Sequence, residues 1–243
     1  MHRLGRQTES PAFWALAGAG ALALLCGQSA LAQAPAPTLE QRVVALKTSL
    51  ATSQANLRQY EWIETTVVSL NGEEKSRKQQ RCYYGADGVL QKVLLDASSP
   101  AATKPGLRGR IIANKKAELT AYMQSAVGLV KAYVPPDPLK IQAVKDAGNA
   151  SIDVVDPGKA VRINFKNYQL PGDNLGVQID MTTNRITNLG VASYLDSPQD
   201  IVTLAVKMGT LNDGTSYASD ITLTAQAKNL TVAVQNTGYH KSN

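Results

Sequence analysis

From Val161 to Val234 the chain alternates between dry and wet side chains, and this pattern constrains the fold more than any other feature. Val161, Ile163 and Phe165 are interleaved with Arg162, Asn164 and Lys166; Leu175, Val177, Ile179 and Met181 with Gly176, Gln178 and Asp180. Val202, Leu204, Val206 and Met208 form the next apolar row, followed by Ile221 and Leu223 and, beyond Lys228-Asn229, by Leu230, Val232 and Val234. Successive side chains of a strand point to opposite faces, so a period of two predicts strands with one dry face. Turn pairs separate the rows at Pro157-Gly158, Pro171-Gly172, Thr183-Asn184 and Asp213-Gly214. Short strands joined this tightly pair antiparallel, and their dry face needs a cover. RITNLGVASYL, residues 185–195, breaks its alternation around Gly190, where a bulge or bend is expected.

The residues upstream supply candidates for that cover. Thr38 reads as an N-cap with Gln41 completing a capping box, and Leu39, Val43, Leu46, Leu50 and Leu57 recur at helical spacing, which predicts a helix over 38–58. The period then changes: YEWIETTVVSL (60–70) meets Asn71-Gly72, EEKSRKQQRCYYG returns from it, and VLQKVLL (89–95) follows Asp87-Gly88. Asn-Gly between strand-like segments is a strong hairpin signal, so a three-stranded meander is expected. Residues 96–148 read as an insertion. A Ser, Ala, Pro and Gly loop leads into a helix of about residues 112–134, with Leu119, Tyr122, Met123, Val127, Val130 and Tyr133 on its apolar stripe. Pro135-Pro136 stops that helix, Asp137 caps the next, Pro138 takes its first position and Gly148 ends it.

The first 34 residues have a different character. MHRLGRQTESPAFWALAGAGALALLCGQSALAQA places Arg3 and Arg6 before an apolar run from Phe13 to Leu25 and ends on the small-x-small triplet Ala32-Gln33-Ala34. Those are the three regions of a secretory signal peptide, with cleavage expected after Ala34. A retained membrane anchor is the alternative, although the run falls short of the roughly 20 apolar residues that span a bilayer. A third reading makes Cys26 a lipid attachment point, but bulky Leu25 stands where lipoprotein signals place a small residue. In a bacterial source, cleavage leaves a periplasmic or secreted chain.

The catalytic vocabulary is sparse. Of the two histidines, His2 belongs to the leader and His240 stands three residues from the end. A Ser-His-Asp mechanism needs a positioned imidazole, and a frayed tail does not supply one. Of the two cysteines only Cys82 lies beyond the leader, so the region after it has no internal disulfide; a lone Cys in RCYYG reads as a small buried hydrophobe. Asp196 and Asp200 flank SPQ, Asp213 lies in NDGT and Asp173-Asn174 follows Pro171-Gly172; these are turn and capping residues without the acidic density of a calcium loop. Glu61 and Glu64 lie on opposite faces of one strand, and Glu73 and Glu74 belong to a hairpin tip. No phosphate-cradling glycine motif is present. The expectation is therefore no catalytic residue, no metal ligand set and no cofactor. Net charge is +6. Lys75, Arg77, Lys78 and Arg81 on one hairpin arm, and Lys104, Arg108, Arg110, Lys115 and Lys116 around the second helix, offer a patch for an anionic envelope surface, or else the charges of a solvated edge strand. Nucleic acid is not an expected partner of an exported chain with few aromatics among its basic residues.

The layout of helix, meander, two-helix insertion and long antiparallel run, with YEWIETTVVSLNGE at the first hairpin and LNDGTSYASDITLTA before NLTVAVQNTGY at the last, resembles the periplasmic lipoprotein-carrier superfamily of LolA-like and LppX-like proteins. The resemblance covers most of residues 38–240 and implies an α+β fold: a strongly curved antiparallel sheet of about ten strands, an incomplete β-barrel, with the N-terminal helix and the two-helix insertion closing its concave face. Residues 35–243 would form one such domain. The internal arginine that holds the helical lid of those carriers has no counterpart, since Arg162 stands on the wet side of its strand and Arg185 takes no such role. The resemblance implies a non-catalytic binding protein that holds a lipid or lipoprotein acyl chain. The apolar face would be lined by Trp62, Val68, Ile163, Phe165, Val177, Ile179, Val202, Leu204, Ile221 and Leu223. In the alternative reading the helices fill that face as an ordinary core, and an envelope structural or interaction protein works through its surface.

Overall fold

Asn71 and Gly72 sit at φ 53° and 79°, the left-handed pair that lets a two-residue turn follow the twist of its flanking strands. They join β1 (Tyr60–Leu70) to β2 (Glu73–Tyr84), and β3 (Leu90–Ser98) completes the meander. The computed structural model describes residues 39–98 and 107–242. The leader with Cys26 and the cleavage expected after Ala34, and Lys104 in the loop of the insertion, lie outside the described residues.

Helix α1 (Leu39–Leu57) precedes the meander, and α2 (Leu107–Lys131) and α3 (Pro138–Asp146) follow it. Then come β4 (Ala150–Asp156), β5 (Ala160–Lys166), β6 (Asn174–Asp180), β7 (Arg185–Tyr194), β8 (Ile201–Thr210), β9 (Ser216–Ala225) and β10 (Leu230–Lys241). The ten described strands form one antiparallel sheet in the order β3-β2-β1-β10-β9-β8-β7-β6-β5-β4. Every neighbour is also a sequence neighbour except at the β1–β10 seam, where Val68 pairs Val232 and Leu70 pairs Leu230. Strands β3 and β4 do not pair with each other, so the sheet is open, as an α+β fold with an unclosed barrel requires.

The caps of α3 follow from its sequence: Asp137 Oδ1 accepts from Leu139 N at 2.8 Å, Pro138 takes a position that needs no N–H, and Gly148 turns the chain at φ 74°. The dry rows of β5 to β9 share one face, and Ala126 and Val130 of α2, Tyr133 just beyond it, and Ile141 and Val144 of α3 pack against them in one buried cluster.

Two expectations need correcting. Gly190 is not a bulge: it pairs in register with Gly176 on one side and Ala205 on the other. The irregularity lies nearer the strand's start, between Gln178 and Ile179 of β6, opposite the additional residue Thr187. That extra residue brings Ile186 and Leu189, three apart in sequence, to the same buried face. Nor is the basic strand β2 a sheet edge, because β3 folds back and pairs along it. The edges are β3, with exposed Val93, Leu94 and Leu95, and β4, with exposed Val154 and Val155.

Candidate functional site

Seven of the ten residues expected to line an apolar face are brought together. Ile163, Phe165, Val177 and Val202 are fully buried, and Ile179, Leu204 and Leu223 are within 6% of it, all in the cluster that α2 and α3 close. Val68 and Ile221 are half-buried and pack against its margin. Trp62 is placed elsewhere, in an aromatic group at the β1–β10 seam. Its ring stacks on Tyr239 with centroids 5.3 Å apart and meets Tyr84 at 6.0 Å, while its Nε1–H donates to Asn236 Oδ1 at 3.1 Å. Tyr239 also touches Tyr217 at 4.3 Å, and burial pushes its hydroxyl pKa up. The Tyr217 ring lies over Gly209, where an added Cβ would come within 2.6 Å of it, so this strand position accepts glycine and little else.

Helix α2 is unevenly held. Its C-terminal end is anchored by Asp173, a carboxylate the sequence reads as turn chemistry and the fold buries to 2% exposure. Oδ1 accepts from Tyr168 N at 2.6 Å, and Oδ2 accepts from Gln169 N at 2.9 Å and Leu170 N at 2.7 Å. The Tyr133 hydroxyl donates to the same carboxylate and lies 2.7 Å from Ser193 Oγ, tying the end of the helix to the β5–β6 connection and to β7. Burial and this carboxylate both raise the Tyr133 pKa. One further bond, from the Tyr122 hydroxyl to Asp200, holds the helix midway. Residues 110–118 are exposed, Ile111 and Ile112 among them at just over half of their surface. There Lys228 Nζ reaches Glu118 Oε1 at 3.0 Å, an ion pair on the exposed flank.

The segment LNDGTSY serves as a dock for α1. Asp213 Oδ1 accepts from Thr215 N at 2.9 Å, closing the β8–β9 turn, and Oδ2 accepts from the Tyr60 hydroxyl at 2.7 Å. Those bonds, the tyrosine's first, bring the Asp213 pKa down to about 2. From α1, Asn56 Nδ2 donates to Thr215 Oγ1 at 3.2 Å, and Ser53 Oγ accepts from Ser216 N at 3.2 Å. Sequence reasoning found the turn but not its partners, which arrive from about 160 residues upstream and carry no local signature.

The basic arm of β2 is largely matched by neighbours. Lys75 pairs with Glu73, Arg77 binds Glu74 through two nitrogens at 2.8 and 3.0 Å, and Arg81 lies 3.9 Å from Glu61. Lys78 makes no ion pair among the described residues. Cys82 is fully buried, and desolvation pushes its thiol pKa up, away from nucleophilic use. Three open depressions lie away from the helix-covered face: about 740 Å³ between the turn tips at Asn71-Gly72 and Gln226–Asn229, about 530 Å³ on the opposite face of β5 to β8, and about 390 Å³ between α3 and the β5–β6 connection. No helix among the described residues is long and apolar enough to cross a membrane.

No family model matches the sequence, and no curated protein matches it. Solved structures similar to the chain include a LolA superfamily protein from Nitrosomonas europaea, 7% identical with a TM-score of 0.34, the match covering 80% of this chain and 94% of that one. A DUF1329 family protein from Desulfovibrio piger has 7% identity and a TM-score of 0.34, with 82% and 92% covered. A domain from Vibrio parahaemolyticus described as an outer membrane lipoprotein-sorting protein has 7% identity and a TM-score of 0.37, with 83% and 94% covered.

Proposed function

We propose that the chain is an exported, non-catalytic binding protein of the cell envelope whose apolar face takes a slender ligand, such as an acyl chain, when α2 lifts. The form described here is then the closed one, with Ala126, Val130 and Tyr133 occupying the place of the ligand over Ile163, Phe165, Val177, Ile179, Val202, Leu204 and Leu223. Val68 and Ile221 border the site, and Trp62 lies outside it, at the β1–β10 seam. The carrying observation is the asymmetry of α2: its C-terminal end is locked by Tyr133 and Asp173 while residues 110–118 lie exposed. A helix held at one end opens at a lower cost than one packed along its length.

Native mass spectrometry of protein extracted without detergent, followed by titration with a fluorescent fatty acid, tests the reading. Expected are a co-purifying lipid and saturable uptake of the probe. A ligand-free spectrum together with no uptake would overturn it.

A second reading is favoured by the complete burial of Ile163, Phe165, Val177 and Val202 beneath the helices. In it the face is a permanent core, and an envelope structural or interaction role lies on the surface. Hydrogen exchange separates the two: the carrier reading expects α2 amides to exchange well before those of β6, the filled-core reading expects both to exchange only on global unfolding.

A further inference from the structure

The face of the sheet turned away from α2 and α3 carries a depression of about 530 Å³ centred on β6 and β7. Its floor is made of small residues. Gly176 pairs Gly190, and Gly190 pairs Ala205, across three neighbouring strands. Neither glycine is there for its backbone, because both take ordinary strand conformations outside the positive-φ set. A Cβ on Gly190 would meet nothing within 4 Å, whereas one on Gly176 would press on Asn164 Oδ1 at 3.3 Å. Glycine in a strand interior is costly, and at Gly190 no contact or turn requires it. What it does supply is depth.

The walls are polar and show both donors and acceptors: Arg162, Asn164, Asn174, Gln178 and Asn188. Two of them, Asn164 and Asn174, form a relay whose direction is set by the Asp153 carboxylate. Asp153 Oδ2 can only accept, so Asn164 presents its Nδ2 to it at 2.6 Å and turns its Oδ1 to Asn174. Asn174 in turn gives its Nδ2 to that oxygen at 3.3 Å, which leaves the Asn174 Oδ1 buried with no donor. Buried acceptors are nearly always satisfied, and this one stands in the wall of a groove. Charge is balanced, since Asp153 faces Arg162 across the β4–β5 ladder and the Arg162 Nη2 donates to Gln178 Oε1 at 3.1 Å.

We propose that this groove binds a neutral oligosaccharide. A sugar hydroxyl donates and accepts at once, as the amide walls do. The glycine floor lets a flat ring approach the backbone closely. An anion meets one guanidinium already engaged and a carboxylate beside it. A peptide strand finds no free ladder, because β5 to β8 are paired on both sides. The site is independent of the apolar face, and neither proposal needs the other.

Calorimetric titration of the purified protein with the tetramer of N-acetylglucosamine, with maltotetraose and with tetraglutamate provides the test. Expected is saturable binding of at least one saccharide in the millimolar range or tighter, and none of the acidic peptide. Gly190→Val adds a side chain into open space and suits a strand, so it should keep the thermal midpoint while weakening binding about tenfold or more. Ala205→Leu, on the next strand, fills the floor from the other side and decides the matter if the first variant fails to fold. No saccharide binding at about 10 mM, a preference for tetraglutamate, or undiminished binding in a folded variant would each overturn the assignment.

Discussion

The two halves of this sheet carry similar strand patterns and meet different fates. Beneath α2 and α3, the rows of β5 to β9 are buried to a few per cent of their surface. In the wing formed by β3, β2 and β1, the apolar residues of β3 remain in the open, Leu94 at 55% exposure and Leu95 at 52%. The wing is stabilised differently: by the aromatic group around Trp62 and Tyr239, by an ion pair in which Lys92 reaches both oxygens of Glu64 at 2.7 Å, and by the long β1–β10 ladder. Alternation tells a strand which face is dry; only the number of covering elements decides whether that face becomes a core. Here the cover packs against β5 to β9, and the wing depends on its pairing to the seam.

That contrast is broken most directly by truncating one residue on each side. Phe165→Ala empties a fully buried site under the helices and should destabilise by about 3–5 kcal/mol. Leu94→Ala removes a half-exposed side chain on the edge and should stay within about 0.5 kcal/mol. Denaturant midpoints of the two variants check this, and similar losses would mean that the wing hides a cover of its own.

A smaller effect separates packing from anchoring within the covered half. Tyr133→Phe keeps the ring in place and removes the hydroxyl shared by Asp173 and Ser193. Asp173 retains its three backbone donors, so the cost should be about 1–2 kcal/mol rather than that of a stranded charge. Amide exchange should quicken through α2 and remain unchanged in the wing. A change spread evenly over the sheet would contradict the local anchor.

Most of this architecture was legible in the residues. Asn71-Gly72, Asp213-Gly214 and the Pro157, Pro171 and Asn184 turns act locally, so their strands could be read off directly. The site was legible only as a row of inward side chains, because alternation does not count the helices above it. Trp62 shares the parity of Val68, yet its partners are Tyr239 and Asn236, set by a seam register that local sequence does not encode. Asp173 looked like turn chemistry for the same reason: three of its donors are local, and the fourth, Tyr133, arrives from 40 residues upstream. Gly190 looked like a bend because glycine interrupts alternation, whereas the actual slip, at Thr187, falls on a residue unremarkable in a strand.

The dock of α1 on the β8–β9 turn can be loosened by acid. Asp213, its pKa brought to about 2 by the Tyr60 hydroxyl and then the Thr215 amide, is a depressed carboxylate. Its contribution is therefore complete above the unfolded value near 4 and is lost as the pH falls from there through about 2. Asp213→Asn removes that dependence. The difference in thermal midpoint between wild type and variant should be constant above about pH 5 and shrink toward pH 2. A gap that does not change with acidity would mean that the carboxylate's charge has no part in the dock.

The smallest effect concerns the seam that joins the two halves. His240 pairs with Glu61 across β1 and β10, beside the register shift that Gly238 permits at φ 66°. Its Nδ1 lies 3.0 Å from Gly238 O and its Nε2 contacts Glu61, so both ring nitrogens face acceptors. A neutral imidazole has one N–H and satisfies only one of them; the imidazolium satisfies both. The carbonyl first and the carboxylate second therefore raise the His240 pKa, against smaller opposing effects of desolvation and then of Arg81. For a raised histidine the stabilisation is complete below the unfolded value near 6.5 and disappears as the pH climbs through the folded one. Because the ring is exposed, the readout is the titration itself rather than global stability. In an NMR titration the His240 midpoint should lie above 6.5 in wild type and fall in Glu61→Gln. A wild-type midpoint at or below that of a free histidine would show that the seam closes on its backbone ladder alone, with no help from the charge pair at its end.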